Sequence, residues 1–327
     1  MVKRELDALS LRYAFEGKGA IEYFLPVCFM RLKRAGDGKI TTRKMVFSYV
    51  FILSTEREIA AIKKALPQLR LNSPLSAKTG KRKNLSMRDY EMSMFRKIAD
   101  AFAGQLPCYN SDMYDLSVCD RVRVINGPFT GIEGAMVTTK GKRNGQVLLP
   151  MCGLFHVSTG DLPTSSYVVL EFGEGNRHPY HAFENYLPHV TKALEMRLSS
   201  NQLDEKSHAA LLRFTVQYGK LQTKTLNIES TYSGLMLMSH AALGNEAETA
   251  KWLEHCNELL PKLKAELQLG MQLGMMYAAT GDDRFAANLH QLINDWGELK
   301  TTDRKKKNAV NLLEQFEKYY ATAKKIV

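Results

Sequence analysis

Between residues 120 and 170 the chain alternates apolar and polar residues and carries a glycine every few positions. Only short strands joined by tight turns can bury such a pattern. Val122 and Val124, Met136 and Val137, and the runs at 147–149, 154–157 and 167–170 supply the apolar faces. Gly127, Gly131, Gly134, Gly141, Gly145, Gly153 and Gly160 punctuate them. Over about 55 residues this pattern predicts a small β-barrel.

The flanking segments follow other periods. Upstream, residues 21–26 and 46–53 are rich in β-branched and aromatic side chains and read as strands, with a basic hairpin-like segment between them. Residues 56–66 carry Ile59, Ile62 and Leu66 at helical spacing before Pro67, and 86–102 repeat this with Met87, Tyr90, Met94, Ile98 and Phe102. Downstream of residues 173–179, which read as a linker, seven helices are expected: 187–199, 204–219, 225–243, 246–263, 265–280, 282–298 and 303–325. Gly244 and Gly281 supply the stops. The expected fold is therefore multidomain: an α+β domain at 1–110, a barrel at 111–175 and an all-helical domain at 180–327.

Within the helical part, Ala241-Ala-Leu-Gly-Asn245 and Ala278-Ala-Thr-Gly-Asp282 are offset by 37 residues. Two such copies suggest stacked helical hairpins of the tetratricopeptide kind. The Met- and Leu-rich stretches at 235–238 and 267–276 read as core, with Gly270 and Gly274 permitting close helix approach. The run Arg304-Lys-Lys-Lys307 reads as a solvated face.

The formal charge of +11 lies entirely in residues 1–110, since 111–175 sum to −2 and 176–327 to +2. Basic clusters at Arg31, Lys33 and Arg34, at Arg43 and Lys44, at Lys63 and Lys64, and at Lys81, Arg82 and Lys83 suit a polyanion; the alternative is that they are merely solvated. Five cysteines without a close pair fit reduced thiols. The longest apolar-rich stretch, 45–53, is far short of a membrane span, and acids in the first residues oppose a signal peptide, so a cytoplasmic protein is expected. No nucleophile elbow, Walker loop or paired-cysteine motif occurs, and no enzymatic activity, cofactor or metal is expected. His178 and His181 are too few for a zinc site, and His156 near Asp161 is half a triad without a serine.

The most specific segment is Asp120-Arg121-Val122-Arg-Val-Ile-Asn-Gly127-Pro128-Phe129-Thr-Gly131-Ile-Glu-Gly134. It resembles the KOW motif, an SH3-like barrel hairpin shared by NusG-type elongation factors and several ribosomal proteins. Phe129 is expected to plug the barrel, and Gly131 and Gly134 to allow conformations or approaches that a Cβ would hinder. What precedes it, Glu22 to Pro26, a basic loop, Lys44 to Ile52 and the helix opening at Met87, resembles in order the NusG N-terminal domain. The likeness is greatest to UpxY-type antiterminators of capsular-polysaccharide operons and covers residues 1–172. Two departures are visible: the family's Phe-Pro-Gly-Tyr is replaced by Val46-Phe47-Ser48-Tyr49, and its first strand can only be 9–13, within a segment that looks partly helical.

The resemblance implies a transcription elongation or antitermination factor. An apolar face of the N-terminal sheet would grip the clamp helices of RNA polymerase through Phe47, Tyr49 and Phe51, flanked by Tyr23. Arg31, Lys33, Arg34, Arg43, Lys44 and Lys81 to Lys83 would lie against DNA or nascent RNA. The helical domain, outside the resemblance, is expected to bind a further protein or itself. The alternative is a ribosome- or RNA-associated KOW protein, which the negative charge of 111–175 opposes.

Overall fold

A computed structural model describes residues 2–17, 19–25, 27–33, 40–46, 49–70, 72–73, 84–102, 106–138, 144–173, 178–296 and 304–324. They fall into two compact units, Met1–Leu116 with Arg123–Ser166, and Ser117–Val122 with Tyr167–Val327.

In the first unit, α1 (Val2–Phe15) precedes β1 (Glu22–Phe24), β2 (Val27–Lys33), β3 (Ile40–Val46), β4 (Phe51–Leu53), α2 (Glu56–Ala65), α3 (Asp89–Ala101) and β5 (Leu106–Asn110). Residues 9–13 are therefore helix, not the family's first strand. The cause is the spacing of Leu6, Leu9 and Tyr13, which clusters Leu6 and Leu9 with Ile62 of α2 and packs Tyr13 against that cluster. Thr55 caps α2, its side chain accepting from the Glu58 N–H while Glu58 accepts the Thr55 N–H. The helix expected at 86–102 begins only at Asp89, so Met87 lies outside it, and its buried residues are Phe95 and Ile98.

The expected strand at 46–53 is two strands in two sheets. β3 ends at Val46, and β4 pairs antiparallel with β1 in a separate two-stranded sheet. The basic segment between residues 26 and 46 is the expected hairpin, β2 running antiparallel to β3.

The period-two region forms β6 (Asp120–Val124), β7 (Glu133–Thr138), β8 (Gly145–Met151), β9 (Phe155–Leu162) and β10 (Tyr167–Glu171). Their sheet has the order β10-β6-β7-β8-β9-β5-β2-β3. The sheet extends beyond 111–175. β9 pairs with β8 along one edge and with β5 along the other, and β5 continues in parallel to β2. β5 covers β9 at Phe155 to Val157, where both edges of β9 are paired.

The second unit holds seven helices among the described residues: α4 (His178–Ser200), α5 (Glu205–Tyr218), α6 (Leu226–Leu243), α7 (Glu246–Leu259), α8 (Glu266–Thr280), α9 (Asp283–Trp296) and α10 (Arg304–Lys324). All seven expected helices are present. The first starts nine residues early, at His178, and contains Pro179 and Pro188, so the linker does not extend through Pro179. Gly173 is itself tied down, donating its N–H to the Asp120 carboxylate at 3.0 Å.

The 37-residue offset corresponds to two helical hairpins, α6–α7 and α8–α9, whose first helices each end on a left-handed glycine, Gly244 (φ 71°) and Gly281 (φ 67°). α4, α6, α8 and α10 pack side by side in that order. α6 and α8 are buried on nearly all sides, so the Met- and Leu-rich stretches are core as expected, except for Leu267 in the first turn of α8, which is 40% exposed. Gly270 lets α8 approach Trp296 so closely that a Cβ there would lie 2.5 Å from the ring. In the run at 304–307 Arg304 is exposed as expected, but Lys305 Nζ donates to Gln268 Oε1 at 3.0 Å and Lys306 Nζ stands 5.0 Å from the Trp296 ring centroid, so these two are not a solvated face. No helix among the described residues is long and apolar enough to cross a membrane.

Candidate binding surfaces

The aromatic candidates sit on or beside the small sheet. Its register pairs Tyr23 with Ile52 and Phe24 with Phe51. Neighbouring residues of a strand face opposite sides, so Tyr23 and Phe51 cannot share a surface. Tyr23 and Ile52 pack on the Leu6, Leu9 and Ile62 cluster. The Tyr23 hydroxyl donates to the Asp7 carboxylate, which holds its pKa above the ordinary phenol value. Phe24 and Phe51 turn to α3, where the Phe95 ring meets each edge-on at 5.3 and 5.6 Å. Arg96 fastens the same corner, pairing with Glu22 at 2.9 Å and lying 5.5 Å from the Phe24 ring centroid.

The row of Phe47, Tyr49 and Phe51 on one strand is consequently not formed, because residues 46–53 are not one strand. Tyr49 lies outside β4 and is 39% exposed. Phe47 lies outside the described residues. Phe24 and Phe95 were missed in the sequence, although alternation along 21–26 separates Phe24 from Tyr23.

Four basic candidates fall on the β2–β3 hairpin. The register sets Arg31 opposite Thr42, Met30 opposite Arg43 and Phe29 opposite Lys44. Arg31, Lys33 and Lys44 thus occupy one register set, and Arg43 the alternate one. β3 is the last strand of the large sheet, and basic residues on an end strand oppose pairing with another chain. Arg34, Lys81, Arg82 and Lys83 lie outside the described residues.

The KOW-like segment forms a compact turn between β6 and β7. Val124 and Ile132 face each other, with the Val124 N–H donating to the Ile132 carbonyl and the Gly131 N–H to the Val124 carbonyl, both at 2.8 Å. Gly127 and Gly131 adopt φ of +83° and +89°, where a Cβ would be strained. At Gly134 the requirement is space: a Cβ would lie 2.6 Å from the Leu148 carbonyl oxygen. Both expectations for Gly131 and Gly134 hold. Phe129 is buried and stacks on Phe102 at the end of α3, at 5.8 Å, which fastens the turn to that helix. Pro128 is exposed at the tip, Val122 is fully buried, and Asp120 and Arg121 are engaged with Gly173 and Glu171.

Among the described residues no catalytic triad assembles around His156. It sits opposite Pro150 on β9, while Asp161 sits opposite Gln146, five residues along the same strand and therefore roughly 16 Å away. Burial pushes the His156 pKa down and keeps the ring neutral. The thiol of Cys256, also buried, is pushed up to about 12. Among the described residues no group of His, Cys, Asp and Glu could hold a metal ion. No protein-family model matches the chain, and neither a curated protein nor a solved structure matches it.

Proposed function

We propose that this chain is a NusG-like transcription elongation or antitermination regulator that acts by binding RNA polymerase and nucleic acid, with no bond made or broken. The observation that carries this reading is the β6–β7 turn, whose Gly127, Gly131 and Gly134 are needed for backbone conformation and close approach as a KOW hairpin requires. A basic antiparallel hairpin precedes it in the chain, as the resemblance implies. In this reading Tyr49, 39% exposed, is the aromatic surface that meets the polymerase. Arg31, Lys33, Arg43 and Lys44 meet phosphates, which gives salt-dependent affinity with little reading of sequence.

The test is a gel-shift titration on elongation complexes assembled from purified polymerase. The chain should bind complexes with an exposed non-template strand more tightly than the same duplex alone. Binding to naked duplex and complex alike would remove the polymerase from the reading.

A further inference from the structure

Among the described helices of the second unit, α4 and α8 each expose one large apolar side chain, Leu198 and Leu267, whereas α5 exposes two, Leu212 at 44% and Val216 at 53%. Single exposed apolar residues are ordinary on a protein surface. The pair on α5 is different, because with the exposed Ala209 it forms a row at spacings of three and four residues. At 3.6 residues per turn that row is a stripe about 60° wide. The buried residues of α5, Leu211, Phe214 and Thr215, lie on the other side of the helix and hold it to the fold. The stripe therefore faces outward.

A second row runs beside the first. Lys206, Arg213 and Lys220 are exposed and spaced by seven residues, two turns of helix, so they follow one flank of the apolar stripe. Gly219, just past the end of α5, keeps right-handed dihedrals, which carries the row on to Lys220. None of the three side chains pairs with another described residue. Helix stability does not account for the row, since Lys206 stands in the first turn, where a cation opposes the dipole. The neighbouring acids are accounted for there: Asp204 caps α5 by accepting the Ser207 N–H, and Glu205 suits the dipole. An apolar seam flanked by charges every seven residues is the pattern of a helix that pairs with another helix, the flanking charges selecting the partner.

The two flanks decide the occupant. The flank opposite the cations holds His208 and the buried Thr215. A second copy running antiparallel would set the cationic flank against itself, and one running parallel would set it against His208 and Thr215. Neither brings an acid to Arg213 at the centre of the row. Three aliphatic side chains without an aromatic are also a shallow anchor for a lipid surface. A helix with acids beside its own apolar seam satisfies both rows at once.

We propose that the outward face of α5 docks an acidic amphipathic helix of a partner protein. The partner's apolar row lies on Ala209, Leu212 and Val216, and its acids meet Lys206, Arg213 and Lys220. With 14 residues in α5 at 1.5 Å each, the contact is about 21 Å of one helix on another, so the complex is weak and reversible. The proposal is independent of the polymerase reading, which concerns the other unit.

Fluorescence anisotropy on the full chain at moderate salt tests it, with labelled three-heptad peptides that carry leucine in the seam and Glu, Gln or Lys on both flanks. The Glu peptide should bind saturably and about tenfold more tightly than the Gln peptide, the sum of three exposed charge contacts of ordinary strength. Leu212→Gln with Val216→Gln keeps every charge and a good helix former at both positions, so the thermal melt should stay while binding falls about tenfold. General attraction to the basic first unit would not respond to that change. Lys206→Glu, Arg213→Glu and Lys220→Glu together should exchange the preference, so that the Lys peptide binds more tightly than the Glu peptide. No saturable binding, equal binding of the Glu and Gln peptides, indifference to the double Gln substitution, or an unchanged preference after charge reversal would overturn the proposal. Displacement of the Glu peptide by a single-stranded oligonucleotide would place it on the nucleic-acid surface and overturn the proposal as well.

Discussion

Tyr49 and Phe51 are two residues apart, yet they belong to different problems. Phe51 meets the Phe95 ring edge-on, so Phe51→Ala should cost about 2–3 kcal/mol in a denaturant melt, toward the low end for truncating an aromatic because the ring is only half-buried. Tyr49→Ala should cost about 1 kcal/mol, less than Phe51→Ala because the residue is 39% exposed, while retention of polymerase by the chain is lost. Unchanged retention would take Tyr49 out of the interface. Two buried histidines add a pH dependence. Burial pushes the pKa of His156 and of His240 down, with Glu248 and Lys251 acting on His240 in opposite senses. The unfolded chain takes up protons at these positions below about pH 6.5 and the folded chain resists, so stability is full above that pH and is lost as pH falls through it. The melting temperature should therefore be flat from pH 8 to 7 and drop toward pH 5. In a chain carrying His156→Gln and His240→Gln the drop should be shallower; an identical profile would refute the assignment.

At the scale of elements, the two hairpin glycines offer a paired comparison. Gly244 and Gly281 share a left-handed conformation, but a Cβ at Gly244 would meet the far end of the long Arg197 side chain, which one bond to the Asn201 carbonyl holds, whereas at Gly281 it would meet the Tyr320 ring at 2.7 Å. That ring is held by its hydroxyl, which donates to the Ala278 carbonyl at 2.8 Å. Gly244→Ala should cost about 1–2 kcal/mol from backbone strain alone, and Gly281→Ala at least about 1 kcal/mol more. Equal losses in thermal melts would mean that Tyr320 yields freely. The same glycines explain why the helical half was legible in the sequence: helical period and left-handed stops coincide, and each marks the same boundary. Residues 46–53 were not, because a run broken only by Ser48 looks identical whether it is one strand or two. In α3, Met94 and Phe95 are adjacent and both apolar, so the pattern could not tell which of them faces the core. The pairing of β9 with β5 joins residues some fifty apart, and no local period encodes such a pairing. The KOW-like turn was legible because its glycines are demanded by local backbone geometry.

For the whole molecule, the division of the chain sets where it can be cut. β10 belongs with the helices: the Gln222 N–H donates to the Leu170 carbonyl at 2.8 Å, Lys224 pairs with Glu171 at 3.0 Å, and Phe172 packs on Phe183. A fragment of residues 167–327 should accordingly melt cooperatively and several degrees above one of 180–327, about what a loss of 1–2 kcal/mol gives in a domain of this size. The central claim concerns what the intact chain holds in the cell. An affinity-tagged chain recovered from extract at moderate salt, with nuclease treatment to remove bridging nucleic acid, tests it most directly. The account predicts RNA polymerase subunits in the bound fraction, reduced by Tyr49→Ala. Ribosomal RNA and ribosomal proteins in their place, or no polymerase at all, would contradict it.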